Sequence, residues 1–266
     1  MKGIAALIAV FLWVAPTNAS EPAIDADPVT ISEAAIGNRL PPLTFVDTKG
    51  DAIALAALRG RPLLVSLVYT GCTDVCPAII ENLRPAIEIA QSALGEDSFT
   101  TITIGFNTFH DTPERMRSFA RERGVDMANW LFLSAEQGAV EALAKATGFT
   151  IVPSAGGFDH MAQVSVIDAD GRIYQQVMGG VFNPPAIVEP LKDLIFNQRR
   201  PFLSLAGLAE RIKLFCTVYN PNTGRYYFNY SLFVGVGIGL ACLLLVLVWL
   251  VREFRLSGRT DGDALP

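Results

Sequence analysis

The stretch RPLLVSLVYTGCTDVCPAIIENL, residues 61–83, contains the pattern that decides the fold. Its first part, Leu63–Tyr69, is a nearly continuous apolar run, which is typical of a strand buried on both faces of a sheet. Pro77 follows, and proline is favoured in the first turn of a helix. Apolar residues then recur at helical spacing to about residue 94, with Pro85 predicting a kink or a break. A buried strand that leads directly into a helix favours an α/β protein.

Strands and helices continue to alternate after this segment. Further strands are predicted at Phe99–Phe106 and Trp130–Ser134, each followed by a helical pattern, and a closing helix at Pro184–Asn197. Hairpin turns are predicted at Asp47–Gly50, before the alternation, and at Asp168–Gly171, after it. The sequence therefore predicts an α/β fold with the thioredoxin-like order of elements, in which helices flank a mixed sheet.

Two apolar segments lie outside this predicted domain. Residues 1–19 combine Lys2, a short apolar run and a small-residue end at Thr17–Ala19, and this pattern predicts a secretory signal peptide. Ser231–Val251 carries no charge and, as a helix, is about 30 Å long, the thickness of the hydrocarbon core of a bilayer. We therefore predict one transmembrane helix near the carboxyl end.

Charge near the span predicts the orientation. Arg252, Arg255 and Arg259 follow the apolar segment, and the positive-inside rule places that tail in the cytoplasm. We expect a single-pass protein of the inner (cytoplasmic) membrane whose soluble domain faces the periplasm. The predicted parts are a signal peptide (1–19), a mobile leader (20–37), the thioredoxin-like domain (38–200), a juxtamembrane linker (201–230), the transmembrane helix (231–251) and a cytoplasmic tail (252–266). Within the linker, residues 205–216 are predicted to form an amphipathic helix.

Composition excludes one class of function. The formal net charge is −5, whereas a protein that binds nucleic acid carries a basic surface. The hydrophobic fraction of 51% is raised by the two membrane-directed segments, so it says little about the soluble part.

The cysteine pair Cys72 and Cys76 lies between the first buried strand and the first helix. That position puts both sulfurs in the turn at the carboxyl end of a strand, where open α/β folds commonly bind and react. Residues four apart on a helix share one face, so the two sulfurs could chelate a single ion. A nearby helix amino-terminus also favours the thiolate, which is both a ligand and a nucleophile.

Three interpretations of the pair follow from the residues. A plain stabilising disulfide would close a very short loop and so would contribute little. A thioredoxin-type disulfide oxidoreductase has two residues between its cysteines, whereas Cys72 and Cys76 have three between them. A metal site needs further ligands, and the only histidines are His110 and His160.

His160 precedes the strand of the late hairpin, and in a thioredoxin-like sheet that strand begins beside the cysteine turn. Two thiolates and one imidazole form a soft set of three ligands that suits copper as Cu(I) and as Cu(II). A structural zinc site would need four ligands, and the sequence suggests no fourth. His110 is expected to be exposed, and Cys216 is a candidate third metal or redox thiol.

Three motifs together resemble the Sco (Sco/SenC) family of copper chaperones for cytochrome c oxidase assembly. They are GCTDVCP at residues 71–77, DTPE at residues 111–114, and Asp159-His160 followed by a strand and a D-x-D-G turn. The resemblance covers residues 38–197 and implies that Cys72, Cys76 and His160 are copper ligands. From the residues alone, the DTPE segment is expected to be a helix cap formed by Asp111, Thr112 and Glu114.

The resemblance also implies a function and partners. The expected function is that of a metallochaperone rather than an enzyme, which delivers copper to the binuclear site of cytochrome c oxidase subunit II or keeps the thiols of that site reduced. Other periplasmic copper chaperones or thiol reductants are further expected partners. The alternatives are a membrane-bound thiol–disulfide reductase that uses Cys72 and Cys76 without copper transfer, and a redox or copper sensor.

Two departures from the family pattern stand out. Asn107 occupies a position where the family has an aspartate. Familiar members are anchored at the amino end, whereas this chain has its apolar span at Ser231–Val251.

Overall fold

The computed structural model describes residues 27–71, 75–154, 157–197, 216–221 and 223–260, with the side chains of 75–77, 197 and 253–260 excluded. The predicted signal peptide, Cys72 and residues 205–215 of the predicted linker helix lie outside these ranges. The helices are α1 (Pro28–Ala34), α2 (Val75–Leu94), α3 (Pro113–Glu122), α4 (Gln137–Thr147), α5 (Pro184–Asn197) and α6 (Ser231–Thr260), with a 3₁₀ turn at Leu55–Leu58. The strands are β1 (Thr44–Asp47), β2 (Ala52–Ala54), β3 (Leu63–Val68), β4 (Thr100–Gly105), β5 (Trp130–Ser134), β6 (Ile151–Ser154), β7 (Gly157–His160), β8 (Gln163–Ile167), β9 (Ile173–Met178), β10 (Thr217–Asn220) and β11 (Arg225–Phe228).

A seven-stranded mixed sheet forms the centre of the domain, in the order β2-β1-β5-β4-β3-β8-β9. Strands β3, β4 and β5 are parallel, and the remaining pairings in the sheet are antiparallel. Every residue of β3 is buried, as its apolar run predicted for a strand buried on both faces. Every residue of β4 is buried as well. The predicted α/β architecture and both predicted hairpins of the sheet are confirmed.

Helix α2 continues through Pro85 to Leu94, so the predicted break does not occur. Pro85 lies on the exposed side of the helix, as does Glu81, whose carbonyl loses its usual donor there. Water can satisfy that carbonyl, and the buried face of Ile80, Leu83 and Ile87 stays intact.

The stretch predicted to be a mobile leader contains helix α1. Asp27 caps the helix by accepting a hydrogen bond from the Val29 amide, and Ser32 is completely buried. Gly148, which ends α4 in the left-handed conformation, lies so close to Ile31 that a Cβ would clash with the α1 backbone. Ordered structure therefore begins before residue 38, because α1 packs on the domain.

Two antiparallel hairpins occur where no strands were predicted. Strands β6 and β7 form a small two-stranded sheet that ends in His160. Strands β10 and β11 form a second one inside the predicted linker, immediately before α6.

Helix α6 has the length and apolarity predicted for a membrane anchor. Ser231–Arg252 is a 22-residue segment of mean hydropathy 2.8 that is not buried against the rest of the chain. Among the described residues it is the one helix long and apolar enough to cross a bilayer.

Candidate functional site

Strand β3 ends at Val68 and helix α2 begins at Val75, so Thr70 and Gly71 leave the sheet at the carboxyl edge predicted for the cysteine turn. Thr70 is buried, and Cys76 is the second residue of α2. Cys72 and the sulfur of Cys76 lie outside the description, so the predicted two-sulfur geometry stays a prediction.

Asp111 is tied to the residues that lead into the cysteine turn. Its Oδ1 accepts hydrogen bonds from the Thr70 amide at 2.8 Å and from the Thr70 hydroxyl at 2.7 Å. Its Oδ2 accepts the Asn107 amide at 2.9 Å. One carboxylate therefore joins the end of β3 to the turn that follows β4.

This placement corrects the prediction for the DTPE segment. Thr112 is the residue that caps α3, since its side chain accepts the Arg115 amide. Asp111 is only 1% exposed and points to Thr70 instead, which a local pattern could not show because the two residues are 41 positions apart. Gly105 allows this approach, because a Cβ at residue 105 would collide with the Asp111 side chain.

The burial of Asp111 affects its titration. Burial raises the pKa of Asp111, and the hydrogen bonds from Thr70 and Asn107 act in the opposite direction by stabilising the charged form. The segment that enters the cysteine turn is therefore held by a buried acceptor rather than by apolar packing alone.

His160 ends β7 and is enclosed by aromatic rings. Its ring centroid lies 5.3 Å from that of Phe106, 5.6 Å from that of Phe149 and 6.3 Å from that of Tyr69. Tyr69 immediately precedes Thr70, so His160 lies beside the chain that enters the cysteine turn.

These surroundings favour the form of His160 that binds metals. Burial lowers the pKa of His160, which favours the neutral imidazole. The Nδ1 atom lies 3.3 Å from the Met161 carbonyl oxygen, which can only accept, so Nδ1 carries the proton in that contact. Nε2 is then the acceptor nitrogen of the ring, the arrangement found in histidines that ligate metals.

Tyr69 connects the two segments of the candidate site. Its ring contacts Phe158 at a centroid distance of 5.4 Å as well as His160. Gly157, at φ +126°, lies so close that a Cβ would be 2.6 Å from the Tyr69 hydroxyl. Glycine is therefore required where the β6–β7 hairpin passes over the end of β3.

The second histidine is exposed, as predicted. His110 nevertheless lines a shallow cleft together with Thr70 and Gly71, so it is a meaningful comparison for His160. Cys216 is buried, next to Thr217 at the start of β10. Within the described residues, which leave out Cys72 and the side chain of Cys76, no group of three or more His, Cys, Asp or Glu side chains could hold a metal ion.

Comparisons with known proteins agree with this picture. The family model described as SCO1/SenC matches residues 34–195. An SCO1 protein homolog of Bacillus subtilis is 25% identical over 150 residues, which are 54% of this chain and 75% of the homolog. A Stutzerimonas stutzeri protein, named provisionally as copper-binding, is 22% identical over 139 residues, 50% of this chain and 66% of that protein.

A solved structure shares the fold. The SCO1/SenC family lipoprotein of Bacillus anthracis superimposes with a TM-score of 0.54 at 20% identity, covering 59% of this chain and 95% of the lipoprotein. This likeness confirms the predicted thioredoxin-like fold. Since the family model spans more than half of the sequence, the chain belongs to the SCO1/SenC family.

Proposed function

We propose that this chain is a membrane-anchored copper metallochaperone whose copper ligands are Cys72, Cys76 and His160. The observation that carries the proposal is the environment of His160, an imidazole enclosed by aromatic rings beside the chain that enters the cysteine turn, with its pKa lowered by burial. Membership of the SCO1/SenC family and the similarity to a protein named as copper-binding support the choice of metal.

The proposed ligands suit a cargo that must be held and then released. Two thiolates bind Cu(I) strongly, and an imidazole extends the set to Cu(II). Cys76 lies in the first turn of α2, where the helix dipole favours the thiolate over the thiol. The Phe106, Phe149 and Tyr69 rings enclose His160, and this burial lowers its pKa, which favours the neutral imidazole that can bind a metal.

The proposed recipient is the binuclear copper site of cytochrome c oxidase subunit II, as the family resemblance implies. Other periplasmic copper chaperones or thiol reductants are proposed as the sources of copper and electrons. The domain is proposed to face the periplasm, with α6 crossing the inner membrane and Arg252 at its cytoplasmic end. Reporter fusions at residue 200 and at residue 266 test this orientation, and a cytoplasmic signal at residue 200 would contradict it.

A second candidate function uses the same two thiols. A thiol–disulfide reductase also needs a cysteine at a helix amino-terminus, which Cys76 satisfies. It does not need His160, so the aromatic surroundings of that residue favour copper binding over reduction alone.

Copper uptake by reduced and oxidised protein separates the two functions. The reduced full-length protein, purified in detergent, is expected to bind about one copper per chain, and the disulfide form none, because oxidation consumes the thiolates. Metal content after gel filtration measures this uptake. If the reduced protein takes up no copper and yet reduces a partner disulfide catalytically, the reductase function replaces the chaperone.

A further inference from the structure

The β10–β11 hairpin lies between the thioredoxin-like domain and the apolar helix. Only Asn229 and Tyr230 separate the end of β11 from the start of α6. The pairing Thr217↔Phe228 and Tyr219↔Tyr226 puts these four side chains on one face, since alternate residues of a strand point the same way. The other face carries the pairs Val218↔Tyr227 and Asn220↔Arg225.

An ion pair on α5 holds both strands of the hairpin. The Tyr226 hydroxyl donates to Glu189 Oε1 at 2.8 Å, and Lys192 Nζ donates to the Thr217 carbonyl oxygen at 2.7 Å. Lys192 Nζ and Glu189 Oε2 are 3.7 Å apart. Burial raises the pKa of Tyr226, so its phenol remains a donor at physiological pH. The hairpin is thus fixed to the domain through one polar cluster.

The outer face of the hairpin is exposed, with Val218 and Tyr227 toward α6 and the charged Arg225 at the turn end. Val218 and Tyr227 are 40% and 48% exposed, and Tyr230, next to the helix, is 66% exposed. The Phe228 ring lies 4.7 Å from that of Tyr230 and 5.8 Å from that of Phe233 in α6, measured between centroids. Tyrosines next to an apolar span are typical of the lipid–water interface, where the ring is buried and the hydroxyl stays hydrated.

We propose that residues 217–230 form a rigid collar that seats the domain on the lipid–water interface. The inner face of the collar is held by Glu189 and Lys192, and Val218, Tyr227 and Tyr230 lie among the lipid headgroups. This inference rests on the proposed membrane anchoring through α6 and is independent of the proposed copper chemistry.

The collar also determines which end of the domain faces the bilayer. Helix α5 follows β9, whose last residue, Met178, pairs with Gln163 close to His160. The helix therefore begins at the site edge and runs away from it. Tyr226 of β11 contacts Glu189 of α5. Two residues later in β11, Phe228 pairs with Thr217, and Thr217 contacts Lys192, one helical turn beyond Glu189.

Strand β11 thus advances in the same direction as α5, and α6 leaves the domain on the side remote from His160. The candidate site is held away from the bilayer at a set height, where the extramembrane domain of another protein can reach it. A flexible tether would instead let the site sweep through many orientations.

Depth-dependent quenching tests the lipid contact. The full-length chain, with Trp13→Phe and Trp249→Phe, is placed in phosphatidylethanolamine–phosphatidylglycerol vesicles that contain lipids brominated at a shallow or a deep carbon. The native Trp130 is 4% exposed in the domain core and serves as the unquenched reference. Tyr227→Trp is expected to lose about twofold more fluorescence to shallow than to deep bromines, as for an interfacial side chain. Phe109→Trp, at an 89% exposed position near the candidate site, is expected to be unquenched.

Hydrogen exchange tests the rigid attachment in the same vesicles. Tyr226→Phe removes the hydroxyl that binds Glu189, so backbone amides of 217–228 are expected to exchange about fivefold faster, the effect of one hydrogen bond. Tyr227→Phe is the matched control and is expected to exchange like the parent.

Alkaline carbonate extraction separates the two ways in which the inference could fail. Release of the full-length chain would overturn the membrane anchoring and the collar together. If the chain is retained, the anchor stands and three results would overturn the collar. They are no quenching of Tyr227→Trp, stronger quenching of it by the deep bromines, or equal hydrogen exchange in Tyr226→Phe and Tyr227→Phe.

Discussion

The chain that enters the cysteine turn and the hairpin that carries His160 meet at one edge of the sheet, yet they are held there in different ways. The chain that enters the cysteine turn is fixed by directional hydrogen bonds from Thr70 to the buried Asp111. The hairpin that carries His160 is fixed by ring contacts with Tyr69, Phe106 and Phe149. Hydrogen bonds depend on single atoms, whereas ring packing depends mainly on volume and shape.

This difference implies different tolerances to substitution. At the entry to the cysteine turn, an isosteric change that reverses one hydrogen-bond donor or acceptor is expected to lower stability strongly. In the ring cluster around His160, an apolar change of similar volume is expected to lower stability only slightly. The free energy of unfolding, its dependence on pH and the Cu(II) absorption of variants test that contrast.

The largest effect on stability is expected for Asp111→Ala. The change leaves the Thr70 and Asn107 donors without their acceptor, and each unsatisfied buried donor costs about 1–3 kcal/mol. Since the cost of burying the carboxylate is recovered, we expect the free energy of unfolding to fall by about 3 kcal/mol. Urea denaturation followed by tryptophan fluorescence measures it. Glu114→Ala, at an exposed position of the next helix, is the control, and an equal loss in both variants would remove the role given to Asp111.

Asp111→Asn sharpens the comparison because it preserves shape. The amide oxygen can still accept from Thr70, but the amide nitrogen then faces the Asn107 N–H, donor against donor. We expect a loss of about 2 kcal/mol in the free energy of unfolding. A change of less than 0.5 kcal/mol, the size of ordinary surface substitutions, would show that the third hydrogen bond is unimportant.

A conservative change in the ring cluster around His160 is expected to lower the free energy of unfolding less than Asp111→Asn does. Phe106→Leu keeps a branched apolar side chain, smaller than the ring, in the cluster, and we expect it to lower the free energy of unfolding by about 1 kcal/mol because the neighbouring rings can repack around it. The same denaturation measurement applies. If Phe106→Leu lowers the free energy of unfolding more than Asp111→Asn does, the contrast between hydrogen bonding at the cysteine turn and ring packing around His160 is wrong.

The smallest effect concerns pH, measured without copper. Burial lowers the native pKa of His160 below its ordinary value of 6.5, so below about pH 6.5 the unfolded chain binds a proton that the native protein excludes. The stability from this residue is fully present above pH 6.5 and is lost as the pH falls toward the native pKa. Asp111 acts in the opposite direction, because burial raises its native pKa: its contribution is fully present below about pH 3.8 and is lost as the pH rises toward the native pKa.

Denaturation midpoints of the parent and of His160→Gln, compared between about pH 5.5 and 7.5, isolate the histidine. The parent is expected to lose more stability than His160→Gln as the pH falls. His110→Gln is the control, since His110 is exposed. If the pH dependence of stability disappears in His110→Gln and persists in His160→Gln, it arises from His110 and not from His160.

The sheet was predictable because its signals are local and strong. The apolar runs of β3, β4 and β5, and the turn at Asp168–Gly171, are each read within a few residues. The position of His160 followed from the order of elements, because antiparallel pairing of β8 with β3 brings the start of β8 to the end of β3.

The supports of the site were harder to predict. Asp111 stands next to a genuine capping residue, and its bond to Thr70 exists only after β3 and β4 pair. Strands β6 and β7 are short and contain Pro153 and Gly157, which weaken the strand pattern. The β10–β11 hairpin did carry a signal, since Pro221-Asn222-Thr223-Gly224 separates runs of aromatic and β-branched residues.

The most direct test of the central claim is the Cu(II) absorption of the reduced full-length protein with one histidine removed. We predict that His160→Ala keeps most of its Cu(I) affinity, because two thiolates suffice for that ion, but shows weak or short-lived thiolate-to-copper absorption. His110→Ala is predicted to give the spectrum of the parent. If His160→Ala binds Cu(II) like the parent and His110→Ala does not, the ligand is residue 110 and the proposed site is wrong.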